Sequence, residues 1–169
     1  MNAIYIRRSI RSYKEQIVEK EKIDKLLRAA MQAPSAGNQQ PWEFIVVQNK
    51  NTLEKLSHLS PYAKPVARAP LALVLLANME GLRFPENWEQ DMSAATQNIL
   101  LEAVELGLGA VWLGVAPNKD RMDYVKKLFN LPEKIKPFCV LAIGYPALGQ
   151  ENKFIDRYDE SRVRYEKWS

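Results

Sequence analysis

The longest uninterrupted apolar stretch of the chain, residues 71–77, comes directly after Pro70. It is far too short to cross a bilayer, which takes about 20 residues in a helix. An apolar run of this length, without alternation, is typical of a β-strand that is covered on both faces. The run therefore predicts a sheet with packing elements on each side.

Helix and strand patterns alternate along the rest of the chain. The longest predicted helix, 88–106, carries an apolar stripe that includes Met92, Ala95 and Ile99, and Gly107 is placed to end it. Further helices are predicted at 2–9, at 19–32, at 52–59 with Thr52 as its cap, and from a cap near Asn118 to 129. Further strands are predicted at 43–48, 110–113 and 138–143. This order indicates an α+β or α/β arrangement around about four strands.

The composition favours one compact domain, spanning residues 1–169, because 47% of the residues are apolar and 26% are charged. The only cysteine, Cys139, lies in an apolar run and has no intrachain partner, which predicts a cytoplasmic protein. The sequence pI is about 9.1. Residues 1–28 contain eight Lys and Arg against four Asp and Glu, whereas the remainder contains sixteen against sixteen. The surplus is therefore local, which indicates an anion site rather than a long basic groove.

The first candidate site is a cluster of three arginines and a serine, namely Arg7, Arg8, Ser9 and Arg11. If the segment is helical, Arg7 and Arg11 face the same way and repel each other by roughly 0.2–0.5 kcal/mol. A bound anion would remove this repulsion, and a phosphate is the obvious candidate. The alternative is a solvated basic face.

The second candidate site is the loop 34–40, in which small residues and three carboxamides follow Pro34. Small residues let the backbone come close to a flat ligand, and Asn38, Gln39 and Gln40 supply paired donors and acceptors. This combination suits the polar edge of a heteroaromatic ring. The alternative is an ordinary loop between a helix and a strand, which Pro, Ser, Gly and Asn commonly build.

Other kinds of chemistry have no support in the residue pattern. His58 is the only histidine, it lies in the predicted helix 52–59, and no cysteine pair or nucleophile elbow accompanies it. The G-x-G at 107–109 follows a helix and precedes a strand, the reverse of a dinucleotide fingerprint. Gly114, just past the predicted strand, is placed to expose backbone N–H groups to a ligand. No catalytic side chain and no metal site are therefore predicted, and an enzyme of this kind would take its chemistry from a cofactor.

The C-terminal segment 147–169 is mostly charged but carries spaced aromatic residues, among them Phe154, Tyr158 and Trp168. Such a segment cannot fold on itself, yet it has more apolar surface than disordered tails usually show. It is therefore expected to lie across another surface, and its length favours a second subunit.

Taken in order, these segments resemble the nitroreductase superfamily over nearly the whole chain. Residues 7–13 match its R-R-S-x-R-x-aromatic signature, and residues 34–42 match its P-S-x-x-N-x-Q-P-W loop. The segment from Asp91 to 114 is similar to the family's D…Q-N…A-x-x-x-G-x-G…W-x-G block. Residues 143–146 are similar to its strand that ends in G-Y-P.

The resemblance implies an α+β fold with a central, mainly antiparallel sheet flanked by helices, in an intertwined homodimer that exchanges C-terminal arms. It implies FMN as cofactor, NADH or NADPH as electron donor, and two FMN sites at the subunit interface. By this analogy one subunit holds the phosphate and ribityl end, through Arg7, Arg8, Ser9 and Arg11, joined by Arg157 or, in its place, Lys153 of the C-terminal arm. The other subunit contributes ring contacts from Pro34, Ser35, Ala36, Asn38 and Gln40, and the backbone of Trp112, Leu113 and Gly114 lies beside the ring.

The implied reaction is a two-electron, ping-pong reduction of nitroaromatic, quinone or similar electron-poor small molecules. Hydride passes from NAD(P)H to flavin N5, NAD(P)⁺ leaves, and a second substrate is reduced in the same pocket. Reductive dehalogenation, flavin reduction and oxygen-dependent flavin chemistry remain open on this scaffold. Outside enzymes, the alternative is a basic module that binds nucleic acid through residues 7–28. The favoured interpretation predicts no nucleic-acid and no membrane partner.

Overall fold

Four strands form one sheet in the order β1-β2-β4-β3, and every neighbouring pair is antiparallel. The structure is a computed structural model that describes residues 2–168. The strands are β1 (Trp42–Val47), β2 (Leu71–Asn78), β3 (Gly109–Gly114) and β4 (Ile135–Gly144). All four predicted strands are present, and the sheet is antiparallel as the resemblance implied.

The strand predicted from the apolar run is buried on both faces, as expected. Because side chains alternate along a strand, Leu71, Leu73 and Leu75 enter one core cluster, whereas Ala72 and Val74 enter the other. Burial of each leucine contributes roughly 1.5–3 kcal/mol. The helices α2 (Lys20–Met31) and α5 (Trp88–Glu105) cover the first face. The second face is covered by α3 (Lys50–Ser57), α4 (Pro65–Arg68) and α6 (Lys119–Phe129).

The helix predicted over 2–9 is only one turn, α1 (Ala3–Ile6), so that prediction is wrong for residues 7–9. Arg7 already has an extended backbone, with φ −52° and ψ 129°. Beyond it, Ser9 forms a parallel bridge with Ala110, and Ile10 donates its N–H to the Ala110 carbonyl over 3.0 Å. A strand edge that accepts these backbone groups competes successfully with the helix. Arg7 and Arg11 therefore do not share a helical face.

Three smaller differences have local causes. Asn49 caps α3 by accepting from the Thr52 N–H at 3.1 Å, so the helix begins at Lys50 and the predicted Thr52 cap is wrong. The one-turn helix α4, with Pro65 in its first turn, was not predicted. Strand β4 begins at Ile135, earlier than predicted. It can include Pro137 because this residue lies beside the register shift at Leu75/Leu76, where a missing N–H is tolerated.

The end of α5 is as predicted, since Gly107 has φ +72° and the Leu108 N–H reaches the Ala103 carbonyl at 2.7 Å. After β4, the described part of the chain has only a short 3-10 turn, Glu160–Arg162. Within residues 2–168, no helix has the length and apolar character that a membrane crossing requires.

Candidate functional site

The arginine segment runs extended beside β3, and its buried residue is Ile10 rather than an arginine. Gly109 makes this close approach possible, because a Cβ there would lie 2.6 Å from the Cβ of Ile10. The segment is therefore held against the sheet by backbone contacts. Ser9 and Arg11 are exposed, and the Arg11 guanidinium donates to the Ser9 carbonyl at 3.3 Å.

Arg8 presents an unusual electrostatic situation. Its Nη1 donates to the Arg7 carbonyl at 2.6 Å, but its Nε and Nη2 are buried and have no partner among the described residues. A buried donor without an acceptor is unfavourable by about 1–3 kcal/mol, and more when it is charged. The pKa of Arg7 is lowered, first by burial and then by the positive charges of Arg8 and Arg157. Three guanidiniums thus approach one another, which favours an anion between them.

A cavity of about 300 Å³ lies at this convergence, between α1 and the C-terminal segment. Its lining residues include Tyr5, Arg7, Arg8, Phe154 and Arg157. Lys153 is the other predicted arm residue, and its Nζ lies 3.6 Å from the Glu151 carboxylate with 60% of the side chain exposed. Arg157, and not Lys153, therefore lies against the other arginines.

The carboxamide loop is a tight turn around Ala36–Asn38. Gly37, Asn38 and Gln40 all have positive φ, at 54°, 56° and 47°. Left-handed backbone at two non-glycine residues is uncommon, and such strain concentrates at functional sites. The Gln40 N–H donates to Ser35 Oγ at 3.0 Å, which closes the turn. Pro34, Asn38 and Gln40 are exposed at its surface, whereas Ser35 and Ala36 are half-buried.

Asp91, in the first turn of α5, anchors this loop from below and is only 4% exposed. Its Oδ1 accepts from the Ala36 N–H at 2.8 Å, and its Oδ2 accepts from Gln39 Nε2 at 2.7 Å. Asp91 belongs to the block that resembles the family's pattern, but the sequence predicts no contact for it. The signal that could have found it is a carboxyl group on the buried side of an amphipathic helix, which requires buried donors.

The third group of predicted residues lies at the end of β3. Gly114 is the last residue of the strand, whereas the sequence predicts it just past the strand. Its carbonyl accepts from Arg121 Nη1 at 3.0 Å. The Leu113 side chain is buried, and the Trp112 ring packs against Phe138 with centroids 5.6 Å apart.

The arginine segment and the carboxamide loop lie at opposite ends of α5. The loop is fixed at Asp91, in the first turn of the helix. Beyond the other end of the helix, Asn152 accepts from the Arg8 N–H at 2.9 Å and donates to the Leu108 carbonyl at 3.1 Å. Residues 91 and 106 are separated by roughly 22 Å along the helix axis. One chain therefore holds the two halves of the predicted site well apart.

A larger open hollow of about 750 Å³ lies between α3 and α4 and contains none of the predicted site residues. His58 lines it, with its Nε2 3.7 Å from the Glu54 carboxylate and both side chains largely exposed. An exposed i,i+4 contact of this kind contributes little to stability. We therefore place the candidate site at the arginines and the loop.

The chain is similar, in sequence and in structure, to known proteins. A sequence model described as the Nitroreductase family matches residues 4–61 and 57–145. A Methanothermobacter thermautotrophicus protein, provisionally named an NADH dehydrogenase/NAD(P)H nitroreductase, is 46% identical over 99% of this chain and 87% of its own. The crystal structure of a provisionally named NADH oxidase from Clostridium acetobutylicum superimposes with a TM-score of 0.96 at 60% identity, over 98% of this chain and 99% of that one. The structure of an FMN-dependent nitroreductase from Clostridium difficile R20291 superimposes with a TM-score of 0.89 at 35% identity, over 99% of each chain.

Proposed function

We propose that this chain, which belongs to the nitroreductase family of FMN-dependent NAD(P)H oxidoreductases, reduces nitroaromatic, quinone or similar electron-poor small molecules. The observation that carries the proposal is the buried guanidinium of Arg8. Its Nε and Nη2 have no partner within residues 2–168 and need a charged acceptor, and the neighbouring Arg7 and Arg157 raise the local positive charge further. A phosphate meets that need with several acceptor oxygens.

The residues present fit FMN in both of its parts. Arg7, Arg8, Ser9 and Arg11, with Arg157 in preference to Lys153, form the phosphate half. The loop residues Pro34, Ser35, Ala36, Asn38 and Gln40, with the backbone of Trp112, Leu113 and Gly114, form the ring half. The arginines approach one another around a cavity of about 300 Å³ instead of lining a long groove, which favours a small phosphate ligand over a nucleic acid.

Bound FMN would supply the redox chemistry, namely two-electron transfer from NAD(P)H to a second substrate. The chain contributes binding and orientation. Ser35 Oγ and the Asp91 carboxylate fix the backbone of the loop. The exposed side-chain amides of Asn38 and Gln40 are thereby positioned for the polar edge of a ring. No side chain of this loop is a candidate acid or base near neutral pH. Donor and acceptor would therefore use one pocket in turn, which is a ping-pong scheme.

We further propose a homodimer, in which the two halves of each FMN site come from different subunits. In one chain these halves lie at opposite ends of α5, so a second copy is the natural source of the missing half. The C-terminal segment supports the same arrangement, because it exposes large apolar side chains to solvent in the isolated chain. These are Leu148, Phe154, Ile155, Tyr158, Val163, Tyr165 and Trp168.

The single domain proposed for residues 1–169 has 147–169 as its C-terminal arm, of which Ser169 lies outside the described residues. The start of the arm is held by its own chain, since the Ala147 N–H reaches the Ser12 carbonyl at 3.0 Å and Asn152 contacts Arg8. From Lys153 onward the described residues are exposed. Residues 154–158 also line the cavity beside Arg7 and Arg8 of their own chain, and the apolar side chains that this part leaves exposed are proposed to pack on the partner. A cytoplasmic location stays a prediction that rests on the single buried Cys139.

The direct test is to purify the protein and record its absorption spectrum, with added FMN if needed. We expect a yellow protein with about one FMN per chain. With NADH or NADPH as donor and a nitroaromatic or quinone as acceptor, double-reciprocal plots should be parallel. A colourless protein that takes up no added FMN would overturn the proposal, and intersecting lines would exclude the ping-pong scheme.

A further inference from the structure

Gln39 is the one carboxamide of the loop that points inward, and it joins three parts of the molecule. Its Nε2 donates to the Asp91 carboxylate at 2.7 Å and to the Phe84 carbonyl at 3.0 Å. Its Oε1 accepts from the Phe84 N–H, also at 3.0 Å. The side chain therefore pairs with both backbone groups of Phe84, much as a strand neighbour would, while Asp91 holds it from the other side.

Only one orientation of the Gln39 amide satisfies these contacts. If the amide were flipped, its oxygen would face two oxygen acceptors and its nitrogen would face the Phe84 N–H. Asp91 selects the working orientation because both of its oxygens are acceptors, one for Gln39 and one for the Ala36 N–H. An asparagine in place of Asp91 has one oxygen, so it must oppose one of the two donors with its own NH₂ group.

Phe84 in turn packs on the tip of the loop. A Cβ added at Gly37 would lie 2.6 Å from the Phe84 ring, and the φ of +54° also favours glycine there. The loop 35–40 and the segment 79–87 are thus locked together, and both are fixed to the first turn of the 18-residue helix α5.

We propose that Asp91 is a positioning residue for the flavin ring. It fixes the loop through Ala36 and Gln39, and through Gln39 it also fixes Phe84 at the side of the flavin ring. This inference rests on the proposed function, because the loop is assigned to the ring half of the FMN site. The relay touches no phosphate-binding arginine. A defect in it should therefore act on the ring and not on the phosphate.

The test compares Asp91→Asn with Glu86→Gln, a matched control that removes an exposed carboxylate five residues earlier. Dissociation constants for FMN and for riboflavin, which has no phosphate, are measured together with visible circular dichroism of the bound flavin. Asp91→Asn should weaken both flavins by the same factor, roughly tenfold or more, and change the dichroism. Glu86→Gln should leave all three as in the wild type, and Arg11→Ala should weaken FMN alone.

The double variant Asp91→Asn, Gln39→Glu tests the relay itself. In it the new asparagine donates to the new glutamate, which reverses the original donor and acceptor. The double variant should therefore recover part of the lost flavin affinity. The recovery is partial because the contact with the Phe84 carbonyl is not restored. Gln39→Glu alone should lower flavin affinity, because it places two carboxyl groups face to face. If Asp91→Asn does not fold, Gln39→Leu in the half-exposed loop takes its place and should give the same equal loss of both flavins.

Normal flavin affinities and dichroism in Asp91→Asn, or a double variant no better than the worse single one, would overturn this inference while the proposed function stands. A wild-type protein that binds neither FMN nor riboflavin would overturn the proposed function and this inference with it.

Discussion

Arg8 Nε and Nη2 are buried without a partner in the described part of the chain, which is unfavourable for folding as long as no anion accepts from them. We therefore expect Arg8→Met, which keeps most of the side-chain volume, to leave the FMN-free protein as stable or to stabilise it by about 1 kcal/mol. The same variant should weaken FMN by roughly 1.5–3 kcal/mol, the range of charge-assisted hydrogen bonds. Thermal unfolding without FMN and fluorescence titration with FMN measure the two effects. A variant that is less stable but binds FMN normally would assign Arg8 a purely structural role.

Tyr13 offers a test at alkaline pH. Its hydroxyl lies 2.6 Å from the Ile10 carbonyl and 2.9 Å from the Ala142 carbonyl, and burial raises its pKa above the usual range. The unfolded chain releases this proton near pH 10, whereas the folded chain retains it, so the contribution to stability is present below pH 10 and is lost as the pH rises further. The loss per group is at most about 1.4 kcal/mol per pH unit.

Urea unfolding between pH 8 and 11 should therefore show a smaller alkaline decline for Tyr13→Phe than for the wild type. Tyr62→Phe is the control, because Tyr62 is 77% exposed. Burial also raises the pKa of Cys139 to about 12, so part of the decline should begin near pH 9 and persist in Tyr13→Phe. Equal curves for wild type and Tyr13→Phe would contradict the assignment.

At the scale of elements, the continuous apolar run and the periodic apolar stripe predicted the structure well. The apolar run 71–77 became β2, and the stripe of 88–106 became α5 with Gly107 at its end. Elements decided by distant partners were predicted poorly. The helix over 2–9 stops early because Ser9 pairs with Ala110, about a hundred residues away in sequence. The contact between Asp91 and Gln39 was not predicted for the same reason, since two residues 52 apart in sequence form no local pattern.

The rest of the domain should fold without the C-terminal arm. Both core clusters consist of residues up to Tyr145, and none of the arm's described residues, 147–168, belongs to either. Removal of 153–169 should therefore preserve the secondary structure seen by circular dichroism, while the dimer and the bound FMN are lost, because Arg157 and the exposed aromatic residues are removed. Light scattering and absorbance at the flavin band measure these losses. A truncated protein that remains a dimer with full FMN would show that the arm is dispensable.

At the scale of the whole molecule, the position of the two half-sites leads to a complementation experiment. One chain carries Arg7→Ala and Arg11→Ala, which damage the phosphate half. The other carries Gly37→Val, whose Cβ would clash with Phe84 at a backbone φ of +54° and so displace the ring half. Each variant alone should form dimers with little FMN, because both of its sites contain one damaged half.

Co-expression with two different tags allows the mixed dimer to be purified. If each site combines halves from different subunits, one site of the mixed dimer joins the two intact halves and the other joins the two damaged halves. The mixed dimer should therefore bind about one FMN per dimer, with wild-type affinity at that site. If both halves came from the same chain, every site would still contain one damaged half, and the mixed dimer would be as empty as its parents. That result would exclude the shared site and require residues 7–11 and 34–40 of one chain to reach the same flavin across the length of α5.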